Sequence, residues 1–277
     1  MSGDPVHDYM TGQMRPGHPA LIAAFEREGK ESVAALRPSL DMVYGPHPRE
    51  RFDFYVAPGP WRGTLAYFHA GYWQSRDKAQ FRFLAPHFVT RGLDVALVNY
   101  PLCPDVALPE LLASTRRAVL AVLGHAAAAG RGGAGLVAAG HSAGGHIVVE
   151  LALAHWGGPS PILAIASLSG VFDLTPLVET PLNERLRLDP ATAHALSPVF
   201  RVRNGLAPAL FAVGGQETSA FLEQNARMRR AWEAAENVAE EYVSPGADHF
   251  SLLLDADLLV RVAALPGRGH PPDSGPA

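Results

Sequence analysis

Ser142 lies in Gly140-His141-Ser142-Ala143-Gly144, a Gly-x-Ser-x-Gly pentapeptide preceded by Gly135-Leu136-Val137-Ala138-Ala139 and followed by Ile147-Val148-Val149-Glu150-Leu151-Ala152-Leu153-Ala154. An apolar run, a glycine-rich turn and a second apolar run read as strand, turn and helix, the setting of a nucleophile elbow. Such a turn carries the strand and helix backbones past each other at close range, so the positions two before and two after the serine must be small. Gly140 and Gly144 meet that need. The chemistry would be acyl transfer. A serine hydroxyl is a weak nucleophile until a base takes its proton, and the base needs a third group to hold its tautomer. The competing reading is a serine that caps a helix in a glycine-rich turn.

A base and an acid should therefore follow downstream. His249, in Ser244-Pro245-Gly246-Ala247-Asp248-His249-Phe250, sits between the last expected strand and the last expected helix. Glu217, in Val213-Gly214-Gly215-Gln216-Glu217-Thr218, follows the strand before it. The order serine, acid, histidine, with the last two on loops after late strands, is that of α/β-hydrolase folds. Asp173 is the second choice of acid; Asp248 is set aside because neighbours on an extended loop point to opposite sides. A solvated loop glutamate and an ordinary histidine among 12 are the plainer readings. Oxyanion donors are expected from the amide of Ala143 and from Phe68-His69-Ala70-Gly71-Tyr72-Trp73, where Gly71 and Tyr72 are the chosen amides. His69 is read as a residue that fixes this loop, His146 as packing, and His141 as pointing away from the nucleophile. Trp73, Phe172 and Phe250 are read as an apolar substrate wall, with a core position as the alternative for Trp73.

These residues need a scaffold, and the hydrophobic pattern supplies one. Alternation over 51–56 marks a half-buried strand; strands at 64–68, 93–99, 161–167, 208–213 and 238–243 alternate with helices at 78–90, 108–129, 219–236 and 249–264. Together with the elbow this predicts an α/β fold: a mostly parallel sheet covered by helices on both faces, with an antiparallel edge from the early strands. One domain is expected over residues 1–265, with cap elements at about 1–40 and 173–200, the latter carrying a weak helix at 189–196. A Gly- and Pro-rich tail over 266–277 is expected to be disordered.

A net charge of −4, with no basic block, argues against nucleic acid or an anionic membrane as partner. Neither an apolar leader nor a run near ~18 apolar residues is present. The one cysteine, Cys103, can form no internal disulfide and reads as a packed thiol, which suits a reducing cytoplasm. No compact His/Asp cluster has metal-ligand spacing, so no metal or cofactor is expected. The expected partner is a small-molecule substrate; a homodimer is left open.

His69-Ala70-Gly71-Tyr72-Trp73, Asn99-Tyr100-Pro101-Leu102-Cys103-Pro104, Gly140-His141-Ser142-Ala143-Gly144-Gly145-His146 and Asp248-His249-Phe250 together resemble the kynurenine formamidase (arylformamidase) branch of the α/β-hydrolases. Tyr44-Gly45-Pro46, Leu168-Ser169-Gly170-Val171-Phe172-Asp173-Leu174 and the segment 217–224 extend the similarity over residues 40–260. The resemblance implies a serine hydrolase that removes formyl from N-formyl aryl amines such as N-formylkynurenine. It places the nucleophile at Ser142, the acid at Glu217, the base at His249 and the oxyanion loop at Gly71 and Tyr72. Ala70 stands where many relatives have glycine, and Glu217 where some have aspartate; both leave the substrate less certain than the chemistry. A carboxylesterase for small aryl or alkyl esters is the rival enzyme, and a hydrolase-fold binding protein without turnover is the rival from another class.

Overall fold

The computed structural model describes residues 3–133 and 135–268. Among them, strands β1 (Ser39–Val43), β2 (Arg51–Tyr55), β3 (Gly63–Phe68), β4 (Leu93–Val98), β5 (Leu136–His141), β6 (Ile162–Leu168), β7 (Ala209–Gly214) and β8 (Ala239–Ser244) form one sheet in the order β1-β2-β4-β3-β5-β6-β7-β8. From β4 to β8 all neighbours are parallel, whereas β1 with β2 and β2 with β4 pair antiparallel. The expected α/β-hydrolase architecture is what forms.

Strand periodicity explains how both faces are covered. Ala66, Phe68, Ala96, Val98 and Phe211 face one core, filled by Val119, Ile147 and Met228 of α4 (Leu108–Ala128), α5 (Ala143–Leu153) and α8 (Ser219–Ala234). Leu65, Tyr67, Val95, Leu97 and Ala212 face the other, filled by Phe25, Phe88 and Leu258 of α2 (His18–Leu36), α3 (Ala85–Val89) and α9 (Ala256–Ala264). The short helices α1 (Pro5–Tyr9), α6 (Asn183–Leu186) and α7 (Pro190–Ala195) belong to the segments expected to act as covers.

Local departures have local causes. The strand expected to be half-buried is β2, and Phe52 to Tyr55 are all buried. Its polar position is filled by Asp53, which pairs with Lys78 Nζ at 2.7 Å and Arg82 Nε at 2.8 Å. β1, not anticipated, covers the edge beside β2. The helix expected over 78–90 is a 3-10 segment, Lys78–Leu84, followed by α3. The closing helix begins only at Ala256, because the Asp255 side chain accepts from Leu258 N and caps it there. His249 therefore stays on a loop. Residues 265–268 form a 3-10 turn, and the remainder of the tail lies outside the described residues. No helix among the described residues is long and apolar enough to cross a membrane.

The elbow shows why its glycines are needed. A Cβ on Gly144 would lie 1.9 Å from Phe68 O at the end of β3. Gly144→Ala is therefore expected to destabilise the fold by about 1–3 kcal/mol or more, whereas Gly124→Ala on α4, where a Cβ meets nothing within 4 Å, should be neutral or stabilising by up to about 1 kcal/mol. Thermal melts of the two variants test this, and equal melting temperatures would contradict it.

Candidate active site

Ser142 sits between β5 and α5 with φ 56° and ψ −114°, outside the ordinary regions for an L-residue. Its amide donates to Leu168 O of β6 at 2.8 Å, which ties the turn to the next strand. The residue occupies the N-cap position of α5, but its side chain makes no capping hydrogen bond. The hydroxyl is thus not spent on the helix. Ser142 and His249 line the same pocket, of about 220 Å³, with Ala70, Gly71 and Tyr72.

His249 Nδ1 lies 2.7 Å from Glu217 Oε2. An Nδ1–H donating to the carboxylate leaves Nε2 as the ring's acceptor. Glu217 is held by donors from three further segments. Its Oε1 accepts from Gly214 N at 2.9 Å and from the Ser169 hydroxyl, and its Oε2 also accepts from Gln13 Nε2 at 3.1 Å. The alternative acids are engaged elsewhere. Asp173 accepts from Thr175 N and Oγ1 and pairs with Arg227 at 2.7 Å. Asp248 accepts from the amides of Phe250 and Ser251 and pairs with His18 at 3.3 Å.

The loop after β3 carries three successive positive φ values, at Gly71 (127°), Tyr72 (49°) and Trp73 (60°). A Cβ on Gly71 would fall 2.2 Å from Ser75 O, so the turn admits glycine alone there. Among the described residues, the amides of Gly71, Tyr72 and Ala143 donate to none of the loop and turn hydrogen bonds, which leaves them as available donors. His69 braces the loop: its Nδ1 is 2.7 Å from Ala70 O, its ring stacks on Tyr100 at 4.3 Å, and the Tyr100 hydroxyl donates to its carbonyl at 2.7 Å. Burial pushes the His69 pKa down to about 4, so the ring is neutral at pH 7.

Of the three residues expected to form the substrate wall, only Phe250 lines the pocket. Trp73 and Phe172 are fully buried. Trp73 packs its ring edge-on to His146 at 5.0 Å, and Phe172 packs edge-on to Phe211 at 5.8 Å. Both belong to the core, the Trp73 indole leaving a loop of positive φ to pack there. His146 is packing, with Nε2 3.0 Å from Leu196 O. Cys103 is buried, and burial pushes its thiol up to about 11. His141 is not remote from the site: its ring lies 4.6 Å from that of His249. Burial first, and the neighbouring His249 second, hold its pKa well below the usual histidine value, so the His141 ring is neutral at pH 7.

Residues from the N-terminal segment, expected as a cover, reach the site, although the pattern did not indicate which of them would line it. Tyr9, Met10, Gln13, Met14 and His18 line the pocket, as does Leu182 from the second cover segment. The N-terminal segment is fastened to the acid loop by Thr218 Oγ1 donating to Asp8 O at 2.7 Å and an Arg15 nitrogen donating to Gln216 O at 2.6 Å. Ser169 lies in the segment 168–174 that carries the family resemblance, but its reach to Glu217 has no local signal. Among the described residues, no group of three or more His, Cys, Asp or Glu is arranged to hold a metal ion.

A family profile described as alpha/beta hydrolase fold matches residues 65–185. The kynurenine formamidase of Danio rerio is 29% identical over 245 residues, covering 84% of this chain and 82% of its own length. That of Salmo salar is 29% identical over 250 residues, covering 83% and 82%. Among solved structures, a candidate thioesterase from Silicibacter sp. TM1040 superposes with a TM-score of 0.82 at 29% identity, over 93% of this chain and 98% of that one. An esterase from Thermogutta terrifontis gives a TM-score of 0.67 at 24% identity over 86% and 95%, a likeness of fold. With the eight-stranded sheet of the described residues, these likenesses make the chain an enzyme of the α/β-hydrolase fold that is similar to the kynurenine formamidases.

Proposed function

We propose that the chain cleaves an N-formyl aryl amide, of the N-formylkynurenine kind, through an acyl-enzyme on Ser142. The observation that carries this reading is the Glu217–His249 hydrogen bond at the edge of a pocket that Ser142 also lines. In the proposed sequence His249 Nε2 takes the Ser142 proton as Oγ bonds to the formyl carbon. The oxyanion forms against the amides of Ala143, Gly71 and Tyr72. Collapse breaks the C–N bond, and His249 returns the proton to the leaving aryl amine. Water then attacks the formyl-serine with His249 again as base, which releases formate and restores the hydroxyl. Glu217 holds the imidazole tautomer throughout. The likeness to the kynurenine formamidases supports formyl as the acyl group, and the small inner pocket supports a small one. Leu182 and the residues from Tyr9 to His18 on its lining support a role for the two cover segments, about 1–40 and 173–200, in closing over it.

The named esterases among the structural neighbours favour a second reading, hydrolysis of small esters. Formyl, acetyl and butyryl derivatives of one aryl amine and one phenol separate the two. The formyl aryl amide is expected to exceed its acetyl counterpart in kcat/KM by about 10²-fold or more, because an added methyl must displace close-packed atoms. Preference for butyryl esters with no N-formyl cleavage would replace the formamidase with a general esterase.

A further inference from the structure

The pocket that holds Ser142 and His249 continues outward into a wider cleft of about 760 Å³, and the two share Met14, His18, Arg76 and Phe250 as lining. Among the described residues, no Asp or Glu lines either of them, while two arginines, Arg15 and Arg76, line the outer one. This is unusual for a chain of net charge −4. Arg76 is the more telling of the two. Its backbone is held at φ 71°, and its carbonyl accepts from the Arg49 guanidinium at 2.8 Å, so the side chain starts from a fixed point. Its guanidinium lies over the Phe250 ring at 4.8 Å. Among the described residues it forms no ion pair and donates no hydrogen bond, whereas Arg49, Arg82, Arg117, Arg131 and Arg227 each have a carboxylate partner.

A partly buried guanidinium with no acceptor is costly to keep, since the desolvated charge is offset by nothing. Burial duly lowers the Arg76 pKa, and Glu26 compensates only in part as the smaller, opposing influence. Glu26 itself accepts from Gln80 Nε2 at 2.8 Å, and Asp248 is taken by His18 and by its own loop. Arg15 spends its terminal nitrogens on the carbonyls of Gly12, Met14 and Gln216. It adds positive potential to the cleft without a counter-charge. Arg76 keeps its full fork of donors, the geometry that binds a carboxylate through two hydrogen bonds.

We propose that Arg76, in the field of Arg15, is the residue that binds a carboxylate on the leaving group and so sets the preference for acylated aromatics that carry one, the ring lying against Phe250. This rests on the hydrolase reading above but not on formyl as the acyl group. The test uses two matched pairs: an N-formyl aniline carrying a carboxymethyl group and its primary carboxamide, and the acetate ester of 4-hydroxyphenylacetate and its primary carboxamide. On whichever pair is cleaved, the wild type is expected to favour the carboxylate about tenfold or more in kcat/KM, mainly through KM. Arg76→Gln should remove that preference, lowering kcat/KM for the carboxylate about tenfold more than for the carboxamide, and Arg76→Lys should restore part of it. A second measurement needs no variant: phenylacetate should inhibit the wild type competitively at lower concentration than phenylacetamide. Equal treatment of each pair by the wild type, or an equal loss on both members in Arg76→Gln, would overturn the subsite. Cleavage of the ester pair alone, with the carboxylate preference intact, would instead overturn the formamidase reading and leave the subsite standing.

Discussion

Ser142→Ala should lose roughly 10⁴–10⁶-fold in kcat while its melting temperature stays close to that of the wild type. The two halves of this expectation have separate grounds. The Ser142 hydroxyl does not cap α5, so its removal costs that helix no hydrogen bond. Alanine meets the same positive-φ penalty as serine at this position, and the strand and helix that hold the turn are untouched. Catalysis is different, because nucleophile and base act as a unit, and His249→Ala should fall to a similar residual rate. That residual would come from the oxyanion amides and from substrate binding alone. Purified Ser142→Ala retaining more than about a tenth of wild-type kcat at saturating substrate would rule out the acyl-serine route.

The second large effect concerns the acid. Glu217→Gln is expected to reduce kcat by roughly 10³–10⁴-fold, near what loss of the correct histidine tautomer costs in a triad. The structure adds a reason specific to this chain. All four groups that reach the carboxylate, Gly214 N, the Ser169 hydroxyl, Gln13 Nε2 and His249 Nδ1, are placed as donors. A glutamine would present its own NH₂ to two of them, forcing a flip of the histidine or the loss of buried hydrogen bonds. Asp173→Asn should change kcat by no more than about threefold, because that carboxylate serves Thr175 and Arg227. Steady-state kinetics on the two variants decide it. The reverse ranking would transfer the acid to the end of β6.

The central features of this protein were legible in its sequence where the governing physics is short-range. Gly140 precedes Ser142 because strand and helix backbones must pass within one turn, a requirement that involves neighbours in the chain only, whereas Gly144 also answers to Phe68 at the end of β3. Apolar runs likewise located β3 to β7, since burial on both faces demands continuous apolar strands, and the short run before the last helix located β8, a partly exposed edge strand. The positions of Glu217 and His249 just after late strands also follow from chain order. Side-chain direction and long-range pairing do not. The strand over 51–56 read as half-buried, whereas Asp53 is buried, because the charges that neutralise it, Lys78 and Arg82, lie on another element. Trp73, Phe172 and Phe250 are alike as apolar rings near the site, yet two are packed into the core and one lines the pocket, a choice made by loop conformation and by what packs beneath. Gln13 donates to a residue 204 positions away, and that Arg76 has no carboxylate partner among the described residues can be seen only once the carboxylates around it have found theirs. The sequence determined which groups could do chemistry and the strands that carry them; the tertiary structure decided which of them meet, because hydrogen bonds and charge pairing depend on distances that only the packed chain sets.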